Sequence, residues 1–399
     1  MGATLTQDYR TPSSSFGGHD AGFVLALLGL LSIGVVMVYS SSVYVAATDP
    51  NILDGSYYLR RQAINVGIGL LAMIFGMSLN YRQMRKWTYP LLLISIASLA
   101  LLLVPGLGTT VGRSTRWFRL PFFSFQPSEA AKFAFIVWMA YSLEKKAFKM
   151  ESFSVGFLPH ILVLGIIMVL CLAQPDLGTC VVLAGIMVSL LFVAGTRVSY
   201  ILALFFTGVP ILINLIANNS MRMRRMLAFL DPWEHRSDVG YQAVNSLVAF
   251  GSGGVQGMGL GASRQKFGYL PEVQTDFIFP IIGEELGLIG VTVVMGLLLY
   301  VICRGMAISW NAKDEFGRFL AFGITMLFAL QAIINIGVAL SLLPTKGLTL
   351  PFVSFGGSSL LVNCFAAGVL LNISLADEPT EEENAFVPDG PELSNGRAR

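Results

Sequence analysis

Ten runs of continuously apolar residues dominate this chain of 399 residues, each close to the roughly 20 that a helix needs to cross a hydrocarbon core about 30 Å thick. They lie at about 22–44, 62–79, 88–104, 127–143, 157–173, 177–194, 198–217, 283–303, 319–341 and 355–375. Barrel strands alternate polar and apolar residues over about ten positions, so these runs are expected to be helices whose backbone groups pair internally. Composition agrees: 54% of residues are hydrophobic and 13% charged, against roughly 25% charged in soluble domains. The first run lacks the short apolar region and small-residue cleavage site of a signal peptide and is read as retained. The expected fold is an all-α polytopic membrane protein of about ten transmembrane helices over 21–376, with polar, disordered tails at 1–20 and 377–399. Cys171, Cys180, Cys303 and Cys364 fall in or at the end of spans, where small apolar packing is expected rather than disulfides.

An even number of spans puts both tails on one side. With the tails cytoplasmic, the short loops on that side hold ten Lys and Arg residues and the short loops opposite hold six. That excess satisfies the positive-inside rule and places the one long connection, 218–282, outside. Within it, Met221-Arg222-Met223-Arg224-Arg225-Met226 reads either as a basic amphipathic stretch at the interface or as a snorkelling helix end. Residues 250–261 carry six glycines, suited either to an anionic ligand or to close helix packing; the Gly-Lys-Ser/Thr ending of a P-loop is missing. Leu120-Pro121-Phe122-Phe123-Ser124-Phe125 and Leu350-Pro351-Phe352-Val353-Ser354-Phe355 match at five of six positions, an echo attributable to chance.

Ionisable groups beside membrane spans are costly to bury, and function is their default reading. Glu129 and Lys132, three apart, share a helix face and form either a structural ion pair or a cation and carboxylate facing an anionic substrate. Asp176 opens the sixth span, as a helix cap or as a partner of Glu129 in holding a hard cation. Glu272 and Asp276 stand four apart before Glu284 and Glu285, and Phe277, Phe279 and Pro280 partly exclude water around Asp276. A carboxylate so placed suits general-base work, with a solvated loop acid as the alternative. Lys346, in a Pro-bounded loop, is either a phosphate-binding cation or a snorkelling lysine. His19, His160 and His235 show no metal-ligand spacing.

Four motifs, in order over about 230 residues, resemble the SEDS family of peptidoglycan glycosyltransferases: Gln126-Pro127-Ser128-Glu129-Ala130-Ala131-Lys132, Gln174-Pro175-Asp176-Leu177-Gly178-Thr179, the stretch from Leu270-Pro271-Glu272 through Glu284-Glu285-Leu286-Gly287, and Pro351-Phe352-Val353-Ser354-Phe355-Gly356-Gly357-Ser358-Ser359. The version at 343–351 is nearer the division branch than the elongation branch. Gln274 and Phe355 depart from the His and Tyr expected there and are assigned no role. The resemblance implies a ten-span fold that polymerises lipid II into glycan strands at the outer face of the bacterial cytoplasmic membrane, at the septum. It makes Asp276 the base on the acceptor hydroxyl, with inversion and departure of undecaprenyl pyrophosphate. It makes Lys132, Lys346, Arg113, Arg116 and Arg119 candidates for the pyrophosphate charge, lets Glu272 position Asp276 or the acceptor, and leaves room for a divalent cation, Mg or Mn, at Glu129 and Asp176. The partners it implies are the nascent glycan strand, membrane lipid, a class B penicillin-binding transpeptidase of the FtsI type and other divisome membrane proteins, with no nucleic acid.

Two other classes remain: a flippase for the same lipid and a noncatalytic divisome scaffold. Transporters concentrate polar sites near the midplane, whereas these candidates cluster at one membrane face. A scaffold has no need of this set of acids and lysines.

Overall fold

The computed structural model describes residues 20–50, 52–111, 114–119, 124–345 and 347–376. Each expected span coincides with a helix: α1 (Ala21–Thr48), α2 (Tyr57–Ser78), α3 (Met84–Leu101), α4 (Pro127–Lys146), α5 (Leu158–Ala173), α6 (Leu177–Val193), α7 (Val198–Ala217), α10 (Ile278–Asn311), α11 (Glu315–Ala339) and α12 (Gly357–Ala376). Among the described residues, seven helices are long and apolar enough to cross a membrane on their own composition. Two further helices, α8 (Ser220–Leu230) and α9 (Tyr241–Gly253), fill the long connection. The chain is a polytopic helical membrane protein.

Capping residues set several helix starts. Asp20 accepts from the Phe23 amide at 3.2 Å and is held in turn by Arg304 of α10 at 2.7 Å. Asn219 caps α8 through the Arg222 amide at 3.1 Å. The centre of the bundle is α11 with α4, both buried along most of their length, whereas α7 buries no residue and stands at the edge. Apolar helices gain nothing from lipid by hiding apolar faces, so close backbone approach carries their association. At the α2/α12 contact a Cβ on Gly368 would sit 2.1 Å from the Met73 carbonyl oxygen, and one on Gly76 2.6 Å from that of Phe365.

One element departs from the all-α expectation. Thr109–Val111, Ser114–Arg119 and Ser124–Phe125 form an antiparallel sheet in the order β1-β2-β3. Strands of two to six residues with little alternation leave no periodic trace in the sequence. The 120–123 half of the sequence echo lies outside the described residues.

The long connection is fastened to α10 from within. That helix starts at Ile278, five residues before the expected 283, and breaks at Gly287, where φ is 64°. The amides of Leu288 and Ile289 instead reach the carbonyls of Gly254 and Val255 at 2.9 and 3.3 Å, and the amides of Met258 and Gly259 reach those of Glu284 and Glu285 at 2.9 and 3.0 Å. The glycines permit that approach: a Cβ on Gly253 would lie 1.9 Å from the Gly283 oxygen, and one on Gly257 2.2 Å from that of Glu285. Close packing is therefore what the glycine-rich segment does here.

Glu284 and Glu285 have no exposed surface and complete the anchorage. Glu284 accepts from the amides of Arg264 and Gln265 at 3.0 and 3.3 Å and from the Ser263 hydroxyl. Glu285 pairs with Lys266 at 3.0 Å and accepts from Ser40 of α1 at 2.6 Å, while Lys266 Nζ also donates to the Gly261 carbonyl at 2.6 Å. Removing one partner of a buried pair leaves a bare charge at a cost of about 3–5 kcal/mol. Lys266→Met is expected to lower stability by about that amount in equilibrium unfolding of the purified protein; an unchanged unfolding curve would mean that the pair contributes nothing.

Candidate functional site

Asp276 lies one residue before the cap of α10, at the floor of a cavity of about 450 Å³. The beginnings of four helices meet there: Gln126 and Glu129 of α4, Asp176 and Thr179 of α6, Asp276 and Phe277 of α10, and Gly356 and Ser359 of α12 all line it. Helix N-termini carry partial positive charge and favour anions. Strand β2 adds Arg116 and Trp117, α8 adds Arg225, and Thr345, Gly347, Leu348 and Thr349 close one side.

Two loops are held together beneath Asp276. Asn335 of α11 donates from Nδ2 to the Asp276 carbonyl at 3.0 Å and to the Leu348 carbonyl at 2.6 Å. Gly347 then packs against the carboxylate, so that a Cβ there would sit 3.1 Å from Oδ2. Among the described residues nothing hydrogen-bonds the Asp276 carboxylate, and the residue is half-buried. Burial, with the Glu272 carboxylate adding to it, pushes the Asp276 carboxyl up to about 7, against the opposing pull of Arg116 and Arg225. Glu272, in the left-handed region at φ 55°, is exposed and receives the Thr275 hydroxyl at 3.1 Å. It acts on Asp276 through charge, without contact.

The remaining acids are engaged. Asp176 caps α6 by accepting from the Thr179 amide at 3.3 Å and the Thr179 hydroxyl at 2.8 Å, and it also accepts from Ser128 at 3.3 Å. Arg116 approaches it at 3.9 Å while donating to the Gln174 carbonyl at 3.0 Å and to that of Pro175. Glu129 pairs with Lys132 at 2.8 Å, leaving Oε2 buried without a partner. Lys132 itself is wholly buried and is not part of the cavity wall, so it bears on the cavity only through Glu129. Among the described residues no group of three or more His, Cys, Asp or Glu side chains is placed to hold a metal ion.

Arg119 lies three residues beyond Arg116 on β2, hence on the other face of the strand, and is exposed away from the cavity. Arg113 and Lys346 lie outside the described residues. Phe355 lines the cavity with its ring edge-on to Tyr58 at 5.2 Å, and its amide donates to the Gln274 carbonyl at 2.8 Å. Arg225 is the residue that sequence reasoning missed: the 221–226 pattern shows an amphipathic stretch but not that one arginine turns toward Asp276. Arg225 also joins the cavity to a neighbouring groove of about 180 Å³, where Arg222 and Arg116 face Leu212 and Ile216 of the peripheral α7. The groove and the cavity share Arg116, Asp176, Arg225, Thr345 and Gly347 in their walls, which sets the groove beside α7 next to the cavity that holds Asp276.

The chain is similar to a protein of Geobacter metallireducens named probable peptidoglycan glycosyltransferase FtsW, with 47% identity over 356 residues that cover 89% of this chain and 94% of the relative. It is 42% identical to the stage V sporulation protein E of Bacillus subtilis over 89% of this chain and 96% of that protein. Its fold is similar to a chain in a solved peptidoglycan synthase complex that coordinates polymerization and crosslinking, with a TM-score of 0.75 and 27% identity over 91% of this chain and 99% of that one. The rod shape determining protein RodA of Thermus thermophilus is similar at a TM-score of 0.66 and 26% identity, over 91% of this chain and 99% of that one. The sequence profile of the cell cycle protein family of FtsW, RodA and SpoVE matches residues 21–378, and the chain belongs to that family.

Proposed function

We propose that the chain is a peptidoglycan glycosyltransferase that polymerises lipid II, with Asp276 as its base. The observation that carries this reading is a carboxylate with no hydrogen-bond partner among the described residues, its pKa raised to about 7, in a cavity that also holds two arginines. A base works best when its pKa lies near the working pH. The acceptor sugar hydroxyl gives its proton to Asp276 as its oxygen bonds to the anomeric carbon of the lipid-linked strand. The bond from that carbon to pyrophosphate breaks on the opposite face, with inversion, and undecaprenyl pyrophosphate leaves with the electron pair.

Arg116 and Arg225 are the described cations suited to the departing charge, Arg222 serves the groove, and Leu212 and Ile216 offer apolar surface to a prenyl chain. Glu272 holds the proton affinity of Asp276 up. Lys132 steadies Glu129 from behind. Lys346, Arg113 and Arg119 keep only the roles that the family resemblance implies. Transporters concentrate polar sites near the midplane, whereas these groups gather at one membrane face, which favours the polymerase.

A divalent cation, Mg²⁺ or Mn²⁺, fits as one carried by the pyrophosphate, since such ions commonly bind one or two carboxylates plus substrate phosphates. Glu129, which lines the cavity and has Oε2 without a partner, would be the residue to hold it. Bound there, the ion would offset leaving-group charge. Partners in this reading are a class B penicillin-binding transpeptidase and other divisome membrane proteins. The cavity, with the 218–282 connection, faces the periplasm at the septum, and both termini are cytoplasmic.

With labelled lipid II and the partner transpeptidase, Asp276→Ala and Asp276→Asn are expected to lose at least about a hundredfold in polymerisation while remaining folded. Full polymer from Asp276→Ala would remove the assigned base, and lipid scrambling without polymer would favour the flippase. Because the reactive form is the deprotonated one, the rate should rise with pH through about 7 and level off above it. Glu272→Gln should shift that profile to lower pH and Arg225→Gln to higher pH; unmoved profiles would contradict the electrostatic account. EDTA should slow the reaction and added Mg²⁺ restore it, whereas undiminished activity would remove the cation.

A further inference from the structure

A second large cavity, about 580 Å³, opens at the other membrane face, between the start of α3, the end of α4 and the start of α5. Helix α4 connects the two faces. At about 1.5 Å per residue, Lys145 stands roughly 24 Å along it from Glu129, most of a hydrocarbon core. The cavity has two unlike halves. Lys145, Lys146 and Lys149 border one, while Leu92, Val163 and the ring of Trp138 line the other.

Nearby acids do not neutralise the lysines. Glu144 is bound to Arg85 at 2.6 Å and Glu151 to Arg197 at 3.2 Å. Among the described residues, no carboxylate pairs with Lys145, Lys146 or Lys149. Lys145 lies over the Tyr141 ring at 5.8 Å, and Tyr89 meets the same ring edge-on at 5.8 Å.

The walls are built. Residues 153–157 form a π-helical turn that folds back so tightly that a Cβ on Gly156 would lie 2.4 Å from the Met150 carbonyl oxygen. Such turns are frequent at functional sites. His160 braces the turn: one ring nitrogen, Nδ1, is 2.7 Å from the Gly156 carbonyl, which can only accept, so Nδ1 carries the hydrogen. Nε2 is 3.0 Å from the Ser142 hydroxyl. Phe148 is fully exposed at the rim, and Leu93 and Leu162 are exposed on the adjoining lipid-facing flanks of α3 and α5.

We propose that this cavity binds an anionic glycerophospholipid of the leaflet opposite the Asp276 cavity, its phosphate among Lys145, Lys146 and Lys149 and its acyl chain against Leu92 and Val163. Uncompensated cations at the interface, aromatic rings at head-group depth and an apolar continuation toward the hydrocarbon match that ligand. A free anion would use only the first of these. The site is separate from the proposed catalytic cavity, and its test does not read polymerisation.

The probe is fluorescent phosphatidylglycerol titrated into the full chain in a neutral detergent, with phosphatidylcholine as control. Wild type is expected to prefer phosphatidylglycerol. The Lys145→Gln/Lys146→Gln/Lys149→Gln variant should lose roughly a hundredfold in affinity, at about tenfold or less per lysine. Val163→Trp, which fills the apolar half and keeps the lysines, should weaken binding as well, and Lys86→Gln, outside the cavity, should not. Elution on size exclusion and unfolding temperature in phosphatidylcholine report whether each variant is folded. Equal affinity for the two lipids, or full binding by the triple variant, would overturn the proposal. Displacement by inorganic phosphate as effective as that by unlabelled phosphatidylglycerol would assign the site to a free anion, and equal displacement by a polyglutamate peptide to an acidic protein segment; either overturns it.

Discussion

The placement of Asp276 depends on a pair of carboxylates that do no chemistry. Glu284 and Glu285 sit inside α10 with no exposed surface, and every donor they need comes from the connection that precedes the helix or from Ser40 of α1. Charges so deep are tolerated only when fully paired. Their presence therefore forces residues 263–266 onto the helix. With that end fixed by Lys266 and the other by α10 itself, the intervening segment is a short tether, and Asp276 has little freedom to wander.

The same demand for partners explains the break in α10. A helix interrupted in a membrane leaves amides and carbonyls that cannot be left bare. Residues 254–259 supply their partners, and only glycine at 253, 257 and 287 lets two backbones come that close. The break thus serves as a docking edge for the connection. Asn335 repeats the principle on the far side of the cavity, one amide serving the carbonyls of both Asp276 and Leu348. Rigidity near the candidate base comes from hydrogen bonding of backbone groups, and among the described residues its side chain has no hydrogen-bond partner.

The helices were legible because hydrocarbon thickness imposes a length that apolar runs display directly. Their ends were less so: α10 begins at Ile278 since Ile278, Phe279 and Pro280 are buried by the connection, a tertiary effect invisible to hydropathy. The sheet at 109–125 was illegible for want of periodicity. Of the candidate site, Asp276, Glu272, Glu129, Asp176 and Arg116 do converge on one cavity. Lys132 and Arg119 do not line it, because neither three-residue helical spacing nor membership of a strand says which way a side chain turns. Lys266 drew no notice in the sequence, as a lone loop lysine is ordinarily solvated; only the fold reveals it beneath Glu285.

Asp276 is set between opposing influences, and the balance bears on when it acts. Burial and Glu272 raise its proton affinity; Arg116 and Arg225 lower it. In the proposed reaction the arrival of a pyrophosphate would engage those arginines and add negative charge to the same cavity. Both changes favour the protonated carboxyl, so Asp276 becomes a stronger proton acceptor once the donor is seated. A carboxylate salt-bridged to either arginine would be held charged in both states and would lack this response, which is the physical reason for a base that Arg116 and Arg225 stand near but do not bind.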